Sequence, residues 1–95
     1  MEGVLWYVLA SSRGGDTRAR IVRALDEQPR NANQLATTLD LDYTTVRHHL
    51  EVLADNNVVE ESADEYGAVY LFTDQAEANW DTVEEVLDTV DPGEN

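Results

Sequence analysis

From Tyr43 to His48 the chain reads Tyr43-Thr44-Thr45-Val46-Arg47-His48, five hydrogen-bonding side chains around one valine. None of them carries negative charge, and their chemistry is that of recognition rather than turnover. A guanidinium presents a planar fork of N–H donors that fits any edge with two acceptors, whether carboxylate, phosphate or the O6/N7 edge of guanine. Threonine hydroxyls and an imidazole can bond either bases or phosphate. One arginine fork on guanine typically gives about 1–3 kcal/mol of base discrimination. The same residues also suit an ordinary solvated helix face, so their meaning depends on the elements that hold them.

Val46, Leu50 and Leu53 recur at i, i+4 and i+7, an inward stripe that predicts a helix over about 42–55 with Asp42 as its N-cap. That stripe turns Thr44, Arg47 and His48 outward and leaves Tyr43 and Thr45 in the first turn. Just upstream, Asn31-Ala32-Asn33-Gln34 reads as a capping box opening a short helix with Leu35, Ala36 and Leu39. Asp40-Leu41-Asp42 then joins the two helices tightly. Before them, a helix capped by Asp16 or Thr17 runs to about Gln28 and is stopped by Pro29, with Ile21, Val22 and Leu25 inward and its arginines largely off that face. The run Val4-Leu5-Trp6-Tyr7-Val8-Leu9-Ala10 is apolar all round and needs cover on more than one side.

After Asn56-Asn57, suited to a left-handed helix end, the period shortens. Val58–Ser62 and Ala68–Thr73 flank Ala63–Gly67 as a β-hairpin over about 58–73. From Asp74 a last helix carries Ala76, Trp80, Val83, Leu87 and Val90 in a heptad-like seam. The fold class is therefore mainly α with a β-hairpin (α+β), a winged helix-turn-helix occupying residues 1–95 as one domain. In a helix-turn-helix the second helix enters the major groove of DNA.

Composition narrows the function. There is no cysteine, which excludes a disulfide framework, a thiolate metal site and a cysteine nucleophile, and fits a reducing cytoplasm. The apolar run at the start is too short to span a bilayer, and no membrane association is expected. No phosphate loop, nucleophile elbow or zinc-protease motif occurs, so no enzyme and no cofactor is expected. His48 and His49, as helix neighbours, diverge by about 100° and cannot present both rings on one face. A metal effector is not expected, and His49 reads as a semi-buried packing residue beside Val46 and Leu53.

Net charge is -14, from twenty acids against six arginines and no lysine. Residues 1–50 hold all six arginines and six acids, whereas residues 51–95 hold fourteen acids and no cation. An acidic surface that uses arginine alone resembles proteins of salt-accumulating archaea. At about 1 M salt the Debye length is about 3 Å, so charge acts only at contact range. Phosphate contacts must then come from the first half: Arg13 beside Gly14-Gly15, Arg18 near a helix start, and Asn31, Asn33 and Gln34 at another helix start. Arg20 and Arg23 read as internal partners of Asp16, Asp26 or Glu27.

Leu39–Leu53 followed by Asn57-Val58-Val59 resembles the recognition region of ArsR-type winged-helix transcriptional regulators, and Leu5-Trp6-Tyr7, Arg13-Gly14-Gly15 and Arg18-Ala19-Arg20-Ile21 resemble their small haloarchaeal members. The resemblance covers roughly residues 3 to 73. It implies a homodimer on double-stranded operator DNA, with the first and last helices forming the dimer interface through Leu5, Trp6, Leu9, Ala76, Trp80, Val83, Leu87 and Val90. The same seam could instead pack on its own protomer. Three departures stand out: no cysteine or late histidine for metal sensing, an acidic wing (Glu60, Glu61, Asp64, Glu65), and Asn57 in place of the usual glycine before the hairpin. Tyr66 and Tyr70 are the only wing residues that could be considered for contact, but each reads rather as hairpin packing and neither is assigned to the site. The alternative function is a winged-helix module that binds a basic protein partner through its acidic half and no DNA.

Overall fold

A computed structural model describes residues 1–62 and 68–90. The elements are α1 (Glu2–Trp6) continued by a π-helical turn (Tyr7–Ser11), α2 (Gly15–Glu27), α3 (Ala32–Leu39), α4 (Tyr43–Asp55), β1 (Val59–Ser62), β2 (Val69–Phe72), α5 (Asp74–Ala78) and α6 (Trp80–Val90). The hairpin turn over 63–67, with Tyr66, and the tail beyond 90 lie outside the described residues.

Local chemistry sets most boundaries. The capping box of α3 is complete: the Gln34 amide donates to Asn31 Oδ1 at 2.8 Å, and the Asn31 amide to Gln34 Oε1 at 2.9 Å. Asp42 caps α4 by accepting from the Thr44 amide at 3.0 Å. Asn57 takes the left-handed conformation (φ 63°) that ends α4, while the Val58 amide reaches back to the Leu53 carbonyl at 2.9 Å. Asp40 does the same for α3 (φ 56°), with the Leu41 amide on the Ala36 carbonyl at 2.9 Å.

Two boundaries differ from the sequence expectation. Helix α2 begins at Gly15 behind a left-handed Gly14 (φ 84°), with no side-chain cap, and Asp16 accepts only from its neighbour Thr17. Gly15 is needed for packing, since a Cβ there would meet the backbone of Leu9 and Ala10 at 3.0 Å. The last helix is interrupted at Asn79, whose side-chain amide donates to the Gln75 carbonyl at 2.8 Å while its own backbone leaves helical geometry.

Strands β1 and β2 pair antiparallel, Val59 opposite Phe72 and Glu61 opposite Tyr70. Arg30, in the loop between α2 and α3, adds a bridge to Tyr70, with the Tyr70 amide donating to the Arg30 carbonyl at 2.9 Å. The hairpin is thereby tied to the helices. One core unites every element except the exposed rim: Leu5, Val8 and Leu9 from the first helix, Ile21 and Val22 from α2, Leu35 from α3, Val46, Leu50 and Leu53 from α4, and Val83, Val86 and Leu87 from α6. Among the described residues no helix is long and apolar enough to cross a membrane.

Candidate nucleic-acid interface

With Val46, Leu50 and Leu53 buried, α4 has a fixed roll. Tyr43, Thr44, Thr45 and His48 face outward and Arg47 is half-buried at the edge of the helix. Arg47 Nη1 donates to the Tyr70 hydroxyl across to β2 at 2.9 Å. Between these elements lies a cleft of about 160 Å³ lined by Asn31, Ala32, Asn33, Tyr43, Arg47, Glu61, Ala68 and Tyr70. Four of the ten side chains expected to meet DNA thus converge on one notch, with Thr44, Thr45 and His48 on the adjoining helix face. Gln34 lines a separate groove with Gln28, Arg30, Asn33, Thr37 and Thr38. The capping box already occupies the Asn31 and Gln34 amides, which limits what these residues can offer a phosphate.

Arg18 is corrected outright. It is 3% exposed, with Nε donating to the Val8 carbonyl at 2.8 Å and Nη2 to Ser12 Oγ at 2.6 Å and the Arg13 carbonyl at 2.9 Å. Its Nη1 lies 3.1 Å from His49 Nδ1. Such a residue cannot clamp phosphate. The signal was in the sequence: Arg18 precedes Ile21, Val22 and Leu25 by 3, 4 and 7 positions, squarely on the apolar face. A long cation on such a face ordinarily snorkels outward; here orphan carbonyls at the end of the first helix hold it in.

A guanidinium only donates, so His49 Nδ1 accepts and the ring proton rests on Nε2. His49 is buried as expected, and burial, reinforced by the charges of Arg18 and His48, lowers its pKa below the ordinary 6.5 against a smaller opposing pull from Asp16. Gly14 leaves room for this ring, because a Cβ there would stand 2.6 Å from His49 Cε1.

The other arginines are mostly engaged. Arg20 donates to the Leu39 carbonyl at 2.9 Å, and Arg23 to the Leu87 carbonyl at 2.9 Å with Asp88 at 3.8 Å. They are internal, as read from the sequence, but their partners are different groups. Arg30 bonds Thr38 at 2.9 Å and Glu27 at 3.1 Å. Arg13 keeps an exposed side chain.

Of the expected dimer residues, Leu5, Leu9, Ala76, Val83 and Leu87 are spent inside the protomer's own core. Trp6, Trp80 and Val90 are only partly covered, with Trp80 edge-on to Phe72 at 4.7 Å between ring centroids. Val4 and Tyr7, which the sequence reading did not assign to an interface, are exposed, Tyr7 at 61%. Tyr70 is the functional candidate that sequence reasoning missed. Its alternation with the strand marks it as packing, and nothing local reveals where its hydroxyl ends.

Residues 16–62 match the model of a helix-turn-helix domain family. No curated protein matches the sequence significantly. Among solved structures, the disulfide-formed AbfR superposes with a TM-score of 0.63 at 17% identity, over 94% of this chain and 62% of that one. A probable transcriptional regulator from Pseudomonas aeruginosa superposes with a TM-score of 0.61 at 17% identity, over 94% and 72%. This chain therefore spans less than two thirds of AbfR, and identity at this level carries the fold alone. With its family match running from α2 through β1 and its fold shared with transcriptional regulators, the chain is a winged helix-turn-helix protein.

Proposed function

We propose that this protein is a sequence-specific, DNA-binding transcriptional regulator of the ArsR-like kind, acting as a homodimer in a cytoplasm of high salt. In this reading α4 enters the major groove, Arg47 reads guanine as a fork, and Tyr43, Thr44, Thr45 and His48 meet base edges or phosphate. Arg13, Asn31, Asn33 and Gln34 supply the contacts to the backbone, and the partly covered Trp6, Trp80 and Val90 meet the second copy. The observation that carries the reading is the composition of the exposed α4 face. In a chain with twenty acids, its first two turns present tyrosine, two threonines, arginine and histidine, and no carboxylate beyond the Asp42 cap.

The test selects genomic DNA fragments retained by the parent protein in molar KCl, then compares Arg47→Ala on those fragments. Affinity should fall by about 5- to 150-fold, the worth of one bidentate base contact, while the mass in solution remains that of a dimer. Equal binding by parent and variant would overturn the recognition-helix assignment and favour the protein-interaction reading, in which the acidic half binds a basic partner.

A further inference from the structure

We propose that Tyr70, on the second strand of the hairpin, is a positioning residue that holds the Arg47 guanidinium in its base-reading orientation before DNA arrives. The proposal rests on the DNA-binding reading above and adds a specificity determinant outside the recognition helix.

Three observations carry it. First, Tyr70 is a fixed post. Its side chain is 7% exposed, its backbone is paired with Glu61 on one side, and on the other its amide donates to the Arg30 carbonyl at 2.9 Å. A hydroxyl mounted on so constrained a ring has little freedom of its own. Second, the bond from Arg47 Nη1 to that hydroxyl, at 2.9 Å, uses one of five guanidinium N–H groups. The remaining donors can still form the two parallel bonds a guanine edge requires. A free arginine loses rotamer freedom when it binds, and fixing it beforehand lowers what DNA binding must supply.

Third, the partner is neutral although acids are near. Glu61 lines the same cleft, and Glu61 and Glu51 both act electrostatically on the Tyr70 phenol. A carboxylate in Tyr70's place would orient Arg47 equally well but cancel its charge and compete with the nucleic acid for the fork. A phenol orients the guanidinium and leaves its charge intact. Burial raises the Tyr70 pKa, against a lowering by Arg47, so the hydroxyl is protonated and uncharged at neutral pH.

The experiment scans single base-pair changes through one fragment retained by the parent in molar KCl, using parent, Tyr70→Phe, Arg47→Ala and the double variant. Phenylalanine keeps the buried ring and removes only the hydroxyl. Arg47→Ala should flatten discrimination at one position. Tyr70→Phe should lower discrimination at that same position by roughly 3- to 10-fold, the worth of one hydrogen bond, and leave the other positions unchanged. In the Arg47→Ala background, Tyr70→Phe should do nothing further. Full discrimination in Tyr70→Phe, a loss spread evenly over all positions, or a loss that persists without Arg47 each overturns the positioning role while sparing the DNA-binding reading. A parent that selects no fragment brings down both.

Discussion

Arg18→Met is the sharpest test of how α4 is anchored through His49. Methionine keeps the apolar stem of the side chain and removes all four donations. The Ser12 hydroxyl keeps its own bond to the Tyr7 carbonyl at 2.6 Å, and the part-buried Arg13 carbonyl can be rehydrated. The Val8 carbonyl and His49 Nδ1 are the buried acceptors left without a donor. Each orphan costs about 1–3 kcal/mol. Part of that is offset, because the guanidinium no longer has to be desolvated. We expect a net loss of about 3 kcal/mol, a large share of the roughly 5–15 kcal/mol that holds a domain folded. For a domain of this size that corresponds to a fall of at least about 10 °C in melting temperature, read by circular dichroism in molar KCl. Arg18→Lys should not rescue it, since one ammonium cannot reach acceptors on Val8, Ser12, Arg13 and His49 together. A methionine variant melting within about 3 °C of the parent would refute the reasoning, for the four bonds would then do no more than offset the burial of the charge.

Two further outcomes follow from the same physics. The folded pKa of His49 lies below the ordinary 6.5, so the unfolded chain binds the proton first as the medium acidifies. Its contribution to stability is complete above 6.5 and is lost as the pH falls from there through the folded value; His49→Gln, which can still accept from Arg18, should melt with a shallower decline between about pH 7 and pH 5 than the parent, and parallel declines would contradict the assignment. Crowded carboxylates with no lysine among them repel in dilute buffer, so melting should occur at higher temperature in about 1 M KCl than in about 0.1 M; a melting point indifferent to KCl removes the case for a high-salt cytoplasm.

Features set by neighbours in the chain were legible from sequence. The Asn31–Gln34 box, the Asp42 cap, the left-handed Asn57 and the roll of α4 each depend on residues within one or two turns, and each is present. Features set across the fold were not. The spacing of Ala76, Val83 and Leu87 serves a dimer seam and an internal packing face equally, and only the placement of the first helix decides that the protomer consumes them. The break at Asn79 depends on a side-chain bond competing with the helix. Arg18 was misread because its charge outweighed its position on the wheel, and the Arg47–Tyr70 bond joins residues 23 apart through a hairpin.

The arginines explain how so acidic a chain holds together. Arg18, Arg20 and Arg23, all on α2, donate to carbonyls of Val8, Leu39 and Leu87, which lie in the final turns of the first helix, α3 and α6. None of these helices carries a basic residue in its own last turn. One helix thus supplies the cations that three helix C-termini lack, where unpaired carbonyls and the negative end of the macrodipole both favour them. Bonds to carbonyls at contact distance are not screened as separated ion pairs are, so they persist in strong salt. Arg23 also reaches Asp88 at 3.8 Å, but with six arginines against twenty acids most carboxylates are left to be solvated. Arginine suits this better than lysine, because its fork reaches several fixed acceptors and its charge is more weakly hydrated. The exposed arginines are Arg13 and Arg20, the latter tied to the Leu39 carbonyl, while Arg30 is held by Thr38 and Glu27 and Arg47 is half-buried against Tyr70. The first two turns of α4, with Arg47 held among them, present no carboxylate beyond the Asp42 cap, in a chain where twenty acids face six arginines.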